Sequence, residues 1–148
     1  MKLKYSIDIK NTPENVFPWI GNPDKAMEWQ SSVSGGEIID EKPGMIGTTF
    51  SETVEEDGQG TEMQGIITDW KENELIAMHL SGKYNSVDVE WRLEELEGFT
   101  RLTGNFDIRV KSFLRLLSLI LWPAFKKKTM IQLREEFARL KELCEQNT

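Results

Sequence analysis

Hydrophobic and polar residues alternate strictly over the first ten positions. Leu3, Tyr5, Ile7 and Ile9 are apolar, while Lys2, Lys4, Ser6, Asp8 and Lys10 are polar. A period of two predicts a strand with one buried face. Thr12-Pro13-Glu14 then supplies a capping hydroxyl, a first helical residue with preset φ, and an acid suited to the helix dipole. A short helix follows, with Val16, Phe17 and Ile20 inward and Gly21 as its stop. Asn22-Pro23-Asp24 repeats the start signal for a second short helix carrying Met27.

From Val33 to Val110 the pattern predicts six strands, near 33–41, 47–56, 61–70, 75–80, 86–95 and 99–110. The breaks between them carry turn chemistry: Lys42-Pro43-Gly44, Asp57-Gly58-Gln59-Gly60, Lys71-Glu72-Asn73-Glu74, Ser81 to Asn85, and Glu97-Gly98. Breaks this short favour antiparallel hairpins over crossovers. Val87, Val89, Trp91 and Leu93 alternate with Asp88, Glu90, Arg92 and Glu94, which marks one wet face and one covered face. The fourth strand is ambiguous, because Ile66 and Ile67 are adjacent.

The cover is predicted at the C-terminus. Met130, Leu133, Phe137, Leu140 and Cys144 recur at steps of three and four, an apolar stripe on a helix. Glu135 and Arg139 fall four apart on its solvent side, in the favourable order. From Ala124 to about Gln146 such a helix spans roughly 35 Å, enough to cross a sheet. Pro123 suits its first turn, or a kink after the apolar segment that runs from Phe113 to Phe125. The class is α+β: a curved seven-stranded antiparallel sheet, two short helices after the first strand, and a long C-terminal helix.

This order resembles the START-like (SRPBCC) superfamily with the helix-grip fold. Tyr5 to Ile9 followed by Thr12-Pro13-Glu14-Asn15-Val16-Phe17 is similar to the family's opening strand and helix start. Asn22 to Trp29 is similar to its second helix, and Pro43-Gly44-Met45-Ile46-Gly47-Thr48 to its approach to the third strand. Phe113 to Leu143 resembles the polyketide cyclase/dehydrase-like branch, in which an apolar segment with proline and basic residues precedes the last helix. Glu97-Gly98-Phe99-Thr100 departs from the family's frequent glycine pair, at a turn. The resemblance covers the whole chain and implies one domain over 1–148, with a cavity between sheet and helix for an apolar ligand.

Alternation places Phe50, Val54, Ile76, Met78, Leu80, Val89, Trp91, Leu93 and Phe106 on the covered face. Gly65 and Gly104 fall in the same phase, where a glycine leaves volume unfilled or marks a bulge. Met63, Met78 and Met130 add a deformable lining, with Phe137 facing it from the helix. The competing reading is an ordinary packed core. Glu52 is in phase with Phe50 and Val54, so it either faces the cavity or is turned outward by a bulge. A carboxyl in apolar surroundings could donate a proton. Tyr84, at a strand-loop junction, would line the mouth.

Other chemistry is sparse. His79 is the sole histidine and alternates with Met78 and Leu80, which puts it on the wet face. One cysteine, Cys144, excludes an internal disulfide and a cysteine-cluster zinc site, and its place in the helical stripe assigns it to packing. The acidic runs Glu55-Glu56-Asp57 and Glu94-Glu95-Leu96-Glu97 border turns without calcium-loop spacing. No phosphate-cradling loop or nucleophile elbow is present, and neither a cofactor nor a metal is expected. With 25 acidic and 18 basic side chains the net charge is −7, which repels nucleic-acid phosphates. Lys126-Lys127-Lys128 beside Trp122 and Phe125 would suit transient contact with an anionic membrane, or simply a solvated face.

Together with the sequence, the resemblance implies a cytoplasmic protein binding a small apolar or amphipathic molecule, lipid-, sterol- or polyketide-like. The alternatives are a cyclase or dehydratase using the same cavity and a protein-interaction module.

Overall fold

A computed structural model describes residues 1–56, 58–111 and 114–146, without the side chain of Glu56. Asp57 in the second predicted break and Phe113 at the head of the apolar segment lie outside the described residues.

The strands are β1 (Lys2–Ile9), β2 (Val33–Asp40), β3 (Thr49–Glu56), β4 (Gln59–Lys71), β5 (Leu75–Ser81), β6 (Asn85–Leu96) and β7 (Phe99–Val110). They form one antiparallel sheet in the order β1-β7-β6-β5-β4-β3-β2. Consecutive strands from β2 to β7 pair as hairpins, and β1 closes beside β7 with Lys2 opposite Asp107 and Ile9 opposite Thr100. The meander follows from turns too short for a crossover. β3 begins two residues later than alternation predicts, because Met45 at φ 71° and Gly47 at φ 89° are still turning the chain.

Bulges bend the sheet. Register shifts interrupt β2 at Val33/Gly35 and at Ile38/Asp40, and β4 at Ile67/Asp69. The β4 shift resolves the Ile66–Ile67 ambiguity: Ile67 is buried, Ile66 is exposed, and the extra residue brings Trp70 back to the concave face. Without it, residues three apart on a strand would face opposite ways.

Between β1 and β2 the chain forms three short helices rather than two: α1 (Pro13–Val16), α2 (Pro18–Gly21) and α3 (Pro23–Ala26). Pro18 has no N–H to continue the ladder, so the first predicted helix splits there. Thr12 Oγ1 caps α1 and Asn22 Oδ1 caps α3. Val16, Phe17, Trp19 and Ile20 are buried, and the Trp29 Nε1–H donates to the Trp19 carbonyl at 2.8 Å.

The C-terminal helix α4 (Arg115–Glu145) starts nine residues before the predicted Ala124, and Pro123 lies inside it. At roughly 47 Å it is longer than the sequence suggests. The carbonyl that Pro123 leaves unpaired belongs to Leu119, on an exposed stretch where water can reach it. The C-terminal half supplies the core: Leu133, Phe137, Leu140, Leu143 and Cys144 pack against β1, β6, β7 and the short helices. The Asn11 side chain donates to the Cys144 carbonyl at 2.8 Å, and Lys141 Nζ to the Asp8 carbonyl at 2.7 Å, tying this end of α4 to the end of β1. Arg139 lies 3.7 Å from Glu142 rather than bridging to Glu135.

Candidate functional site

Tyr5, Trp29, Trp91, Phe106 and Phe137 form a chain of ring contacts with centroids 4.9–5.9 Å apart, closing one end of the space between sheet and α4. Beyond it lies an apolar cavity of about 280 Å³. Its sheet wall comes from Phe50, Val54, Ile67, Trp70, Ile76, Met78, Leu80, Val89, Trp91 and Phe106. Ile20, Trp29 and Met27 close it on the short-helix side, Met45 and Thr48 from the β2–β3 loop, and Leu133 from α4. A cavity of this size stands at the small end of ligand pockets.

Three glutamates meet this apolar lining: Glu37 at its exposed edge, and two set deeper. β3 runs against β4 with no register shift, so Glu52 keeps phase with Phe50 and Val54 and lines the cavity. Burial pushes its carboxyl above the usual carboxylate range, since the charged form loses water. The second is Glu136 on α4, 6% exposed. Its Oε1 accepts from the Ser31 N–H at 3.2 Å, the Ser31 hydroxyl at 2.8 Å and Gln132 Nε2 at 2.8 Å. Three donors on one oxygen fix the side chain at the cavity wall. Glu136 escaped the sequence reading, although it sits between Leu133 and Phe137 on the buried stripe of α4, where an acid is conspicuous.

The other expected site residues divide. Phe50, Glu52, Met78, Trp91 and Phe106 line the cavity. Met63 and Tyr84 line a neighbouring one near the start of α4. Gly65, Gly104, Met130 and Phe137 line neither. The two glycines do not leave the hollow expected of them. The Phe50 ring lies directly over Gly65, and a Cβ on Gly104 would stand 2.9 Å from the Trp91 ring and 3.0 Å from the Phe106 ring. Aromatic rings from the facing and adjacent positions have taken the space. Phe137 is fully buried inside the aromatic cluster, and Met130 packs half-buried beside the core.

His79 is on the outer face, its Nδ1 2.6 Å from the Asp88 carboxylate in a surface hydrogen bond, and it is not part of the cavity lining. Cys144 is almost fully buried, and burial pushes its thiol up to about 12, so it stays protonated and packs. No group of three His, Cys, Asp or Glu placed to hold a metal is found among the described residues.

A bent antiparallel sheet closing on a long C-terminal helix around an apolar cavity defines the helix-grip, START-like class. The chain belongs to the polyketide cyclase/dehydrase and lipid transport family, whose profile matches residues 1–145. No curated protein matches it. Among solved structures it is similar to a protein of Thermus thermophilus, with 12% identity, 97% of each chain covered and a TM-score of 0.81. A START superfamily protein from Mycobacterium smegmatis has 18% identity over 99% of each chain, with a TM-score of 0.77. The Zhui aromatase/cyclase of Streptomyces sp. R1128 has 12% identity over 98% of this chain and 93% of its own, with a TM-score of 0.71.

Proposed function

We propose that the protein binds one small, largely apolar molecule in the cavity between the sheet and α4, with Glu52 and Glu136 addressing a hydroxyl or other hydrogen-bond donor on it. The observation that carries this reading is an apolar cavity into whose wall two carboxylates are built. Affinity would come from apolar area removed from water, at about 25 cal/mol per Å² before ordering costs. Glu52 and the second oxygen of Glu136 would favour ligands able to donate, because Glu136 Oε1 already accepts from Ser31 and Gln132 and a carboxyl shielded from water gains most from a donor on the ligand. The family's description, which includes lipid transport, supports a lipid-, sterol- or polyketide-like ligand. With a net charge of −7, nucleic acid is not among the proposed partners, and a cytoplasmic setting accompanies the reading.

Titration with Nile red, a neutral apolar dye, tests the cavity. One saturable site per chain is expected, with quenching of Trp91 and Trp29 emission; fluorescence that rises without saturation would refute it. Native mass spectrometry of protein purified from its own host should show a co-purified molecule.

A second reading, a cyclase or dehydratase, is favoured by the raised proton affinity of Glu52 and by the likeness to an aromatase/cyclase. There Glu52 would donate a proton to a substrate oxygen. Glu52→Gln separates the two: lost turnover of a polyketide substrate with intact binding supports catalysis, whereas unchanged turnover removes Glu52 from it.

The same substitution has a stability signature. A carboxyl whose folded-state pKa is raised destabilises the fold as pH climbs from the ordinary carboxylate value through the raised one. Glu52→Gln is therefore expected to raise Tm at neutral pH, with the gain vanishing below about pH 4. Thermal melts across that range check it, and a pH-independent difference would contradict the burial of this group.

A further inference from the structure

Exposed aliphatic surface is concentrated on the first turns of α4. Leu116, Leu117, Leu119, Ile120 and Leu121 are each more than half exposed, Leu116 reaching 74%. These near-consecutive positions wrap around the helix, so the segment is apolar on most sides rather than along one core-facing stripe. A helix of that kind is ordinarily buried in protein or lipid. No helix among the described residues is long and apolar enough to cross a membrane, which leaves a segment able to enter one surface.

A second cavity, of about 320 Å³, lies under this segment. Leu117, Leu121, Trp122 and Phe125 form its helix side, with Met63 and Tyr84 opposite. Trp122 and Phe125 stack at 5.7 Å within this wall, while Leu116, Leu119 and Ile120 line neither cavity and stay exposed. Val54 and Ile108 border both this cavity and the central one, so the two adjoin.

Charge is segregated around the same segment. From Ile108 to Arg134 the chain carries seven Lys or Arg and no Asp or Glu, so all 25 acidic side chains lie elsewhere. Lys111 and Arg115 stand exposed at the start of the apolar turns, and Lys126, Lys127 and Lys128 at their end. Lys83 Nζ lies 5.4 Å over the Tyr84 ring at the second cavity. A second copy seated on this face would bring basic ends together whichever way it ran. An anionic surface complements them.

We propose that the first turns of α4 dock on an anionic phospholipid surface. Leu116, Leu119 and Ile120 enter the acyl boundary, and Lys111, Arg115, Lys126 and Lys127 meet the headgroups. The second cavity is then the passage between bilayer and central cavity. Docking stands by itself, and the passage rests on the ligand-binding reading above.

Co-sedimentation of the full chain with phosphatidylcholine vesicles, with and without phosphatidylserine, tests this. Binding is expected to vesicles containing phosphatidylserine and to weaken as salt is raised. Lys126→Gln with Lys127→Gln should lower the partition coefficient about 30-fold. Leu119→Asp with Ile120→Asp should abolish binding while leaving Tm and Nile red affinity unchanged, because both side chains are exposed. Wild-type protein that stays in the supernatant would overturn the proposal, as would binding indifferent to both double variants. Self-association lost in Leu119→Asp with Ile120→Asp, without vesicle binding, would overturn it in favour of a second copy. Vesicle binding without saturable Nile red binding would support docking and remove the passage and the ligand-binding reading instead.

Discussion

Trp91→Ala is expected to lower the unfolding free energy by about 3–5 kcal/mol. Trp91 is 5% exposed, and its ring lies 5.7 Å from Trp29, 5.4 Å from Phe106 and 5.8 Å from Phe137. It also sits opposite Gly104 in the β6–β7 register and fills the space above that glycine. Phe137 cannot collapse into the gap easily, because Tyr5 and Trp29 hold its ring from other sides. Domains are stable by about 5–15 kcal/mol in total, so the loss is a large share, with a fall in Tm on the order of 10 °C. Trp91 is a cavity wall as well, so Nile red affinity should fall in the same variant. Denaturant melts and dye titration read the two effects separately. A loss below about 1 kcal/mol would mean that the aromatic chain is not what closes the core.

Gly65→Ala should cost about 1–3 kcal/mol and weaken the cavity at the same time. Gly65 faces Phe50 across the β3–β4 pair, and an added Cβ would overlap the Phe50 ring atoms. The glycine is there for space. No positive φ demands it. The ring would have to swing aside, and because Phe50 lines the central cavity its new position encroaches on that volume. The expected pair of results is a lower midpoint in denaturant and weaker Nile red binding. If both stay at wild-type values, the ring moves freely and the close fit carries no energy.

Much of this architecture is legible in the chain. The strand readings around Val87 to Leu93 and Leu102 to Val110 match β6 and β7 closely, because one face of a half-wet sheet writes its alternation directly into the sequence. The inward phase of β3, Glu52 included, follows from the same period and an unshifted register. Glu136 was legible in principle, since an acid three residues after Leu133 and one before Phe137 falls on the buried stripe of α4. The start of α4 was not. Pro123 marks a helix boundary by its missing donor, yet here the helix continues through it on an exposed stretch where solvent reaches the unpaired carbonyl. The bulge at Ile67/Asp69 shows in the sequence only as the ambiguous Ile66–Ile67 pair, and it decides that Trp70 faces inward.

The sequence alone determined which side of each strand is covered and which stripe of the last helix covers it, because both are periodicities of a single segment. Only the tertiary structure decided where space is left. Gly65 and Gly104 suggest hollows by composition, and rings from neighbouring positions occupy both, while the open volume lies beside Glu52 and Glu136, on elements about eighty residues apart. Whether a position is filled depends on the size and rotamer of whatever stands across from it, and no local pattern records that.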